Sequence, residues 1–305
     1  MSATGNPTAP TGPVILVDGY GQIYRSFYAI RELTGPNGEP TNALYGLVRF
    51  LLSLDGALPH DFGAFVLDKG KPRHRLELLP EYKAQRPPMP DALRRQIAPI
   101  RSWVLALGWP IIEEDGFEAD DLIAAVVAAR GGAEVLIVSH DKDLGQLVGP
   151  GVCLLQPGPK GALARWGRAE IMEKFGVPPE QIRDYLALVG DTVDNIPGVS
   201  GVGPKTAVTL LQRFGSVEGI LAQVEQIERP AVRDAIATSR DLLQRNRRLV
   251  ALDETLPPAW QGADSLRRRQ PDWDALIGLA RQVGFKSVIS EFERRRQDER
   301  NPTLF

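Results

Sequence analysis

The apolar residues in the first half of the chain form short runs that alternate with amphipathic helical patterns. The runs with strand character are 14–17, 63–67, 109–113, 134–138 and 152–155. Patterns with helical period lie between or beside them, at 20–31, 41–54, 91–107, 118–130 and 142–148. Alternation of this kind predicts an α/β fold, with a mostly parallel sheet covered by helices on both faces.

The second half of the chain has a different pattern. From about residue 168 onward the periodicity is helical, at 168–175, 179–189, 205–214, 216–223, 230–250 and 273–284. The pattern therefore predicts four parts: a disordered tail at 1–13, an α/β core at 14–175, a helical region at 176–292 and a charged tail at 293–305.

The segment 69–90 breaks this rhythm and is basic. Between Lys69 and Arg101 there are nine Lys or Arg residues against three acids, although the net charge of the chain is only -2. Long insertions in compact domains are often functional lids, and clustered cations suit a phosphate backbone. A solvated charged face is the alternative interpretation.

The composition excludes several classes of protein. Apolar runs of membrane-spanning length are missing from the sequence. One cysteine, Cys153, and three histidines are too few for a usual zinc site. A disulfide within the chain is impossible, which favours a reducing, cytoplasmic compartment.

Nine acidic residues stand where metal ligands would be needed. Several of them end or follow strand-like runs, and the carboxyl ends of parallel strands share one edge of a sheet. The nine are Asp18, Asp68, Glu118, Asp120, Asp121, Asp141, Asp143, Asp191 and Asp194. Helix capping or turn formation would explain any single pair. Together they predict carboxylates neutralised by Mg²⁺ or Mn²⁺, as in a metal-dependent phosphodiesterase.

A glycine-rich segment, Ile196-Pro197-Gly198-Val199-Ser200-Gly201-Val202-Gly203-Pro204-Lys205-Thr206-Ala207, is the second strong motif. Its spacing mimics a phosphate-binding nucleotide loop, but Pro204 removes an N–H where phosphate would be held, and no strand precedes the loop. The segment instead matches a helix-hairpin-helix over about 184–214, a grip on the DNA backbone that does not depend on base sequence.

These motifs together resemble the 5′ nuclease (flap endonuclease) family, especially the 5′-3′ exonuclease domain of bacterial DNA polymerase I. The resemblance covers about residues 14–292. The motifs that carry it are Leu16-Val17-Asp18-Gly19, Tyr24-Arg25, Tyr82-Lys83-Ala84-Gln85-Arg86, Gly116-Phe117-Glu118-Ala119-Asp120-Asp121, Asp141-Lys142-Asp143-Leu144 and Gly190-Asp191 with Asp194-Asn195. The implied fold is a PIN-like nuclease core followed by a helical helix-hairpin-helix region.

The resemblance also implies a role for each motif. Asp18, Asp68, Glu118 and Asp120 would hold one divalent cation. Asp141, Asp143, Asp191 and Asp194 would hold a second, with Asp120 or Asp121 near both. The segment 69–95 would be a helical arch that admits a 5′ single strand, and Lys83 and Arg75 would contact the scissile phosphate.

The implied DNA contacts include Tyr24, which would stack on a base beside that phosphate. The full set is Tyr24, Arg25, Arg86, Gly198, Gly201, Gly203, Lys205 and Thr206, with K⁺ bound through backbone carbonyls near Val199 and Val202. The implied substrate is DNA with a 5′ flap, overhang, nick or gap, or RNA in RNA–DNA hybrids, cut by a monomer. The alternatives are a related RNA-cleaving enzyme and a DNA-binding protein whose metal site has decayed.

Two positions depart from the family pattern. His74 stands where relatives have an apolar aromatic residue, so the base of the arch is expected to pack differently. Ser139 and His140 precede Asp141, and this unusual pair is expected to have no effect on ligation.

Overall fold

The computed structural model describes residues 12–158, 162–258 and 260–300. The expected tail at 1–13 therefore lies almost wholly outside the described residues, as do positions 301–305. None of the helices within the described ranges has the length and apolar character needed to cross a bilayer.

The described chain contains one six-stranded sheet and a two-stranded ribbon. The strands are β1 (Val14–Asp18), β2 (Phe62–Val66), β3 (Ile111–Ile112), β4 (Val135–Val138), β5 (Val152–Pro157), β6 (Leu163–Trp166), β7 (Gly190–Asp191) and β8 (Ile196–Pro197). The sheet order is β3-β2-β1-β4-β5-β6, and all of its pairs are parallel except β5–β6. The predicted parallel α/β core is confirmed, with β6 as an additional antiparallel edge strand.

Helices cover both faces of the sheet and form most of the second half of the chain. They are α1 (Gly19–Ala29), α2 (Asn42–Ala57), α3 (Arg73–Leu78), α4 (Asp91–Ala106), α5 (Ala119–Ala128), α6 (Arg168–Phe175), α7 (Ile182–Val189), α8 (Pro204–Phe214), α9 (Val217–Ala222), α10 (Pro230–Thr238), α11 (Arg240–Leu249), α12 (Trp273–Gln282) and α13 (Lys286–Arg300). The predicted helix at 142–148 is a 3₁₀ helix, Asp143–Leu147, and the one predicted at 230–250 is divided into α10 and α11.

Two apolar cores lie on opposite faces of the sheet. One joins the sheet to α5 and to the helical second half. The other joins it to α1, α2 and α4, and also to α12 and α13, through Trp103, Trp273 and Phe292. The last two helices therefore pack back on the first half of the chain.

Residues 293–300, expected to be a frayed helix or a charged tail, form the second half of α13. Ion pairs one helical turn apart run along it, such as Arg295 with Glu291 and Arg294 with Asp298. Phe292 is fully buried and anchors the helix to the core. A high charge content is compatible with a helix here, because opposite charges pair one turn apart and one face is apolar.

Candidate metal centre and nucleic-acid interface

The acidic residues meet in the crevice where the direction of the sheet reverses. From β1 the chain adds β2 and β3 on one side, and β4 then pairs with β1 on the other side. Ligands of open α/β sheets bind at such a switch point, outside the carboxyl ends of the strands. Asp18 ends β1 there, and Asp141 follows β4 by three residues.

A serine links these first two acids. The Ser139 hydroxyl donates to Asp18 Oδ2 at 2.8 Å, and its oxygen accepts the backbone N–H of Asp141 at 2.9 Å. Asp18 also caps α1, because its Oδ1 accepts the N–H of Gly21 at 3.0 Å. The expectation that Ser139 has no effect on ligation stays a prediction, but these two hydrogen bonds oppose it, because they fix the spacing of two candidate ligands.

The start of α5 provides the first acidic triad, Glu118, Asp120 and Asp121. One carboxylate oxygen from each lies within 4.8 Å of the others. Asp68, at the end of the neighbouring strand, accepts the N–H of Ala119 at 3.2 Å and so caps the same helix. Three acids in one helical turn exceed what capping requires, and a cation would relieve their repulsion.

The second triad consists of Asp143, at the start of the 3₁₀ helix, and of Asp191 and Asp194, at the end of β7 and in the turn after it. All three are buried, and their nearest ligand atoms again lie within 4.8 Å of one another. Asp143 Oδ1 is buried and has no hydrogen-bond partner among the described residues. Such an atom is costly unless a cation or water satisfies it. Lys142 Nζ contacts Asp191 Oδ2 at 3.0 Å and neutralises part of this charge.

Burial and mutual repulsion act on the acidity of these groups. Burial raises the pKa of Asp18 to about 6, and the charges of Asp141 and Asp68 add to the effect. Burial and the neighbouring acids also raise the pKa of Asp120, Asp141 and Asp143. The site therefore resists full ionisation unless positive charge enters it.

The segment 79–86 supplies positive charge from above the acids. Lys83 Nζ contacts Glu118 and lies 3.6 Å from Asp194 Oδ2, and Arg86 Nη2 lies 2.5 Å from Asp194 Oδ1. Burial alone would lower the pKa of the Lys83 ammonium, but Glu118 and Asp194 raise it above its usual value. The Tyr82 hydroxyl bridges the triads, at 3.2 Å from Glu118 Oε2 and 3.1 Å from Asp194 Oδ2.

The segment expected to be a helical arch contains little helix and lies close to the rest of the chain. Within 69–95, helix is limited to α3 and the first turn of α4. The Lys83 N–H donates to the Asp194 carbonyl at 3.0 Å, with Lys83 in the left-handed region at φ +56°. Asn195 Nδ2 donates to the Glu81 carbonyl at 2.8 Å. The segment thus lies on the β7–β8 turn and does not stand away from the core.

The Arg75 side chain is buried and does not face solvent above the acids. It is 1% exposed, and its guanidinium contacts Glu118, Asp121 and two backbone carbonyls near the end of α11. Its expected contact with the scissile phosphate stays a prediction, and the geometry opposes it.

A cavity of about 560 Å³ opens beside the acids, and both predicted DNA-contact residues and predicted metal ligands line it. Tyr24, Lys83 and Arg86 line it together with Asp68 and Glu118. Arg25 lies outside it, and its guanidinium donates to the Pro157 carbonyl at 2.7 Å and contacts His140 Nε2 at 2.9 Å. The cavity therefore presents an aromatic ring, cations and carboxylates on one surface.

The segment predicted to be a helix-hairpin-helix contains α7, the β7–β8 ribbon, the glycine-rich turn 198–203 and α8. Gly198 packs against the end of α7, where an added Cβ would lie 2.3 Å from the Val189 carbonyl oxygen. Gly201 has a φ of +74°, and Gly203 precedes Pro204, the first residue of α8. Lys205 is exposed at the start of α8, with Thr206 beside it. Val199 and Val202 are buried, and Val202 N–H donates to the Val199 carbonyl at 3.0 Å.

Three side chains of this region were not assigned a role from the sequence: Ser139, Lys142 and Tyr82. Lys142 and Tyr82 lie within motifs that the sequence had singled out for neighbouring acids or cations, and Ser139 lies two residues before one of them. Their proximity in the sequence to candidate site residues could have indicated a role. Their partners could not be predicted, because they are distant in the chain, as Asp194 is from Tyr82.

The fold and the paired acidic clusters define a nuclease of the metal-dependent α/β type. The chain belongs to the 5′-3′ exonuclease family. Residues 13–176 match the family's N-terminal resolvase-like domain, and residues 177–274 match its C-terminal SAM-fold domain. The 5′-3′ exonuclease activity that the resemblance predicted is confirmed at the level of the family.

The relatives extend this match along the chain. A 5′-3′ exonuclease from Aquifex aeolicus is 37% identical over 281 residues, which is 92% of this chain and 94% of that protein. The thermostable DNA polymerase I of Thermus aquaticus is 38% identical over 287 residues, but the chain spans only 33% of its length.

Solved structures share the fold. A T5 5′-exonuclease with bound zinc ions has 25% identity and a TM-score of 0.66, covering 93% of this chain and 97% of that one. The catalytic core of Rad2 in complex with a DNA substrate has a TM-score of 0.60, covering 90% of this chain and 88% of that one. At 17% identity it shows the fold alone.

Proposed function

We propose that the crevice at the β1–β4 switch point is the hydrolytic site and that it takes two divalent cations, Mg²⁺ or Mn²⁺. One cation would bind among Asp18, Asp68, Glu118 and Asp120. The other would bind among Asp141, Asp143, Asp191 and Asp194. Carboxylate oxygens at this density suit such hard cations. The single observation that carries the proposal is the buried Asp143 Oδ1, which has no hydrogen-bond partner in the described part of the chain.

When bound, two such cations lower the pKa of a coordinated water and neutralise charge on the phosphate. The remaining work belongs to the protein. Lys83 reaches the carboxylates from the cavity side, so its ammonium is placed to meet a phosphate oxygen. Tyr24 presents its ring to the same cavity and would stack on an unpaired base.

The substrate we propose is DNA with a 5′ flap, overhang, nick or gap, with RNA in RNA–DNA hybrids as a secondary substrate. The glycine-rich turn and the N-terminus of α8 would bind the duplex backbone through Gly198, Gly201, Gly203, Lys205 and Thr206. Backbone carbonyls of this turn, near Val199 and Val202, would hold a K⁺ ion. Arg86, which lines the cavity, and Arg25 would contact a strand leaving the crevice, and the segment 69–95 would admit its free 5′ end.

We further propose that one chain is sufficient for cleavage, since both triads and the cationic segment come from the same chain. A cytoplasmic location stays a prediction from the single cysteine. Gel filtration with light scattering during cleavage would test the first point.

The ligand assignment is tested by Asp191→Asn and, separately, Asp141→Asn. Each should abolish cleavage of a flap duplex while the affinity for that duplex stays within about threefold, because the helix-hairpin-helix is untouched. Glu173→Gln, an exposed acid on α6, is the matched control for loss of one negative charge. Cleavage at the wild-type rate by either aspartate variant would overturn the assignment.

A further inference from the structure

We infer that Arg75 and Asp121 form a buried positioning pair that sets Glu118 in place, and that neither the Arg75 guanidinium nor the Asp121 carboxylate touches phosphate or metal. This inference rests on the proposed function, because it assumes that Glu118 is a ligand. It reassigns two residues that the family resemblance placed in contact with substrate and cation.

The first observation is that the donors of Arg75 are fully used. A guanidinium has five N–H groups. Nε donates to the Leu249 carbonyl at 3.0 Å, Nη1 to Glu118 and to Asp121 Oδ2 at 2.6 Å, and Nη2 to Asp121 Oδ1 at 2.7 Å and to the Ala251 carbonyl at 3.0 Å. A phosphate could be contacted only after one of these bonds is broken.

The second observation concerns Asp121. Both of its oxygens face Arg75, and Oδ1 also accepts the Asp253 N–H at 2.9 Å. The residue is 1% exposed. Asp120, the preceding residue, is only partly buried and accepts one hydrogen bond among the described residues, from the Asp121 N–H. Of the two, Asp120 is the carboxylate with oxygen atoms available to a cation.

The third observation is the location of the pair. Arg75 lies on α3, which leads into the segment that carries Lys83, and Asp121 lies on α5 beside Glu118. The carbonyls that Arg75 binds, Leu249 and Ala251, follow in the chain by 174 and 176 residues. The Arg75 side chain therefore connects three parts of the chain: the segment 69–95, helix α5 and the end of α11.

The consequence for Glu118 is geometric. Arg75 holds its carboxylate from the buried side, and Lys83 contacts it from the cavity side. Groups that hold a metal ligand in place affect metal affinity by about 10- to 100-fold when removed. Lysine keeps the charge of Arg75 but cannot form the planar fork.

The first test measures Mn²⁺ binding without DNA, by electron paramagnetic resonance, in Arg75→Lys and Arg75→Lys/Asp121→Asn. Arg75→Lys should bind Mn²⁺ about tenfold more weakly than the wild type, and adding Asp121→Asn should change this by no more than about threefold. Wild-type affinity in Arg75→Lys would show a merely structural pair and overturn the inference. A further tenfold loss in the double variant would make Asp121 a direct ligand and would also overturn it.

The second test measures how binding to a flap duplex weakens with salt, in the presence of chelator. Arg75→Met leaves Asp121 buried without its partner and can fail to fold, so the variant used is Arg75→Met/Asp121→Leu, which keeps the net charge. Its slope of log affinity against log salt should equal the wild type. Lys83→Met, which removes a proposed phosphate contact, should lower the slope by about one. A similar fall in the Arg75 variant would contradict the inference.

These tests separate the two levels of the account. If the wild type neither binds Mn²⁺ nor cleaves, the proposed function fails. If the wild type binds Mn²⁺ and cleaves, but the variants give one of the contradicting results above, only the positioning role fails.

Discussion

Ser139 shows how much of the site depends on single side chains between the acids. Its hydroxyl donates to Asp18 and accepts from the Asp141 backbone, so it holds the ends of β1 and β4 at a fixed spacing. Asp18 and Asp141 belong to different proposed cation sites. The serine therefore couples the two sites although it is not itself a proposed ligand.

Ser139→Ala should weaken Mn²⁺ binding by about tenfold, because supporting groups of this kind orient the ligands. Mn²⁺ titration followed by electron paramagnetic resonance measures the change. Ser102→Ala on the exposed face of α4, whose hydroxyl donates only to the Ala98 carbonyl among the described residues, is the control and should leave the affinity unchanged. Equal affinities for the wild type and Ser139→Ala would rule out the bridging role.

At this scale the sequence indicated which acids matter but not how they are held. Acids after strand-like runs could be assigned to one edge of a sheet because parallel topology brings those ends together. The partners of Arg75 could not be anticipated, because Leu249 and Ala251 contribute carbonyl groups, which every residue has. Phosphate contact was the natural expectation for an arginine in a basic segment, and the burial of Arg75 opposes it.

The element that depends most on its glycines is the turn between α7 and α8. Gly198 and Gly203 both lie in this turn, but they differ in their surroundings. An added Cβ at Gly198 would meet the Val189 carbonyl and the Gly190 N–H, whereas one at Gly203 would meet nothing within 4 Å, and Gly203 has an ordinary φ of -89°. The two positions can therefore separate folding of the turn from its use in binding.

Gly198→Ala should lower the free energy of unfolding by about 1–3 kcal/mol, because the backbone must move to admit the methyl group. Urea denaturation measures this loss. Gly203→Ala should unfold like the wild type but bind duplex DNA more weakly, since its methyl group would face the approaching phosphate backbone. The reverse order of stability would contradict the described packing, and unchanged binding in Gly203→Ala would place the duplex elsewhere.

The regular elements were the most predictable level. Periodicity located all five parallel strands and most helices to within a few residues, because burial of one or both faces requires apolar residues at regular spacing or in short runs. The β6 strand was missed because it lies at the edge, with half its residues exposed. The two-residue strands β7 and β8 are too short to carry a period and depend on the glycine turn.

The whole molecule has a net charge of only -2, but its charges are segregated. Negative charge is concentrated in the buried acidic crevice, and positive charge lies in the basic segment above it. Positive side chains from distant parts of the chain balance the acids within the described residues. Such an arrangement links folding to both proton and metal binding. The average charge of the sequence could not show this, because the balance depends on which residues are brought together.

The metal-free protein should lose stability as pH rises from about 4 to about 6. The pKa of Asp18 is about 6 in the folded protein against a usual value of 3.8, so the folded state binds protons more tightly than the unfolded chain within this window. Stabilisation of the protein by divalent cations should change with pH in the opposite direction. Because the cations bind ionised carboxylates, the stabilisation by Mn²⁺ should grow as pH rises.

Melting temperatures at pH 4.5, 5.5 and 6.5, with chelator and with Mn²⁺, measure both trends. Asp18→Asn is the matched variant and should flatten the metal-free dependence. A melting temperature that rises with pH in chelator, or one that Mn²⁺ leaves unchanged at the highest pH, would contradict a convergent acidic site.

The most direct test of the central claim is cleavage of a 5′-labelled flap duplex with Mg²⁺, with Mn²⁺ and with chelator. The account predicts cutting near the flap junction with either cation and none with chelator, and loss of that cutting in Asp191→Asn. Tight binding of the duplex without cleavage under any of these conditions would contradict it, and would favour a DNA-binding protein whose acids do not act together.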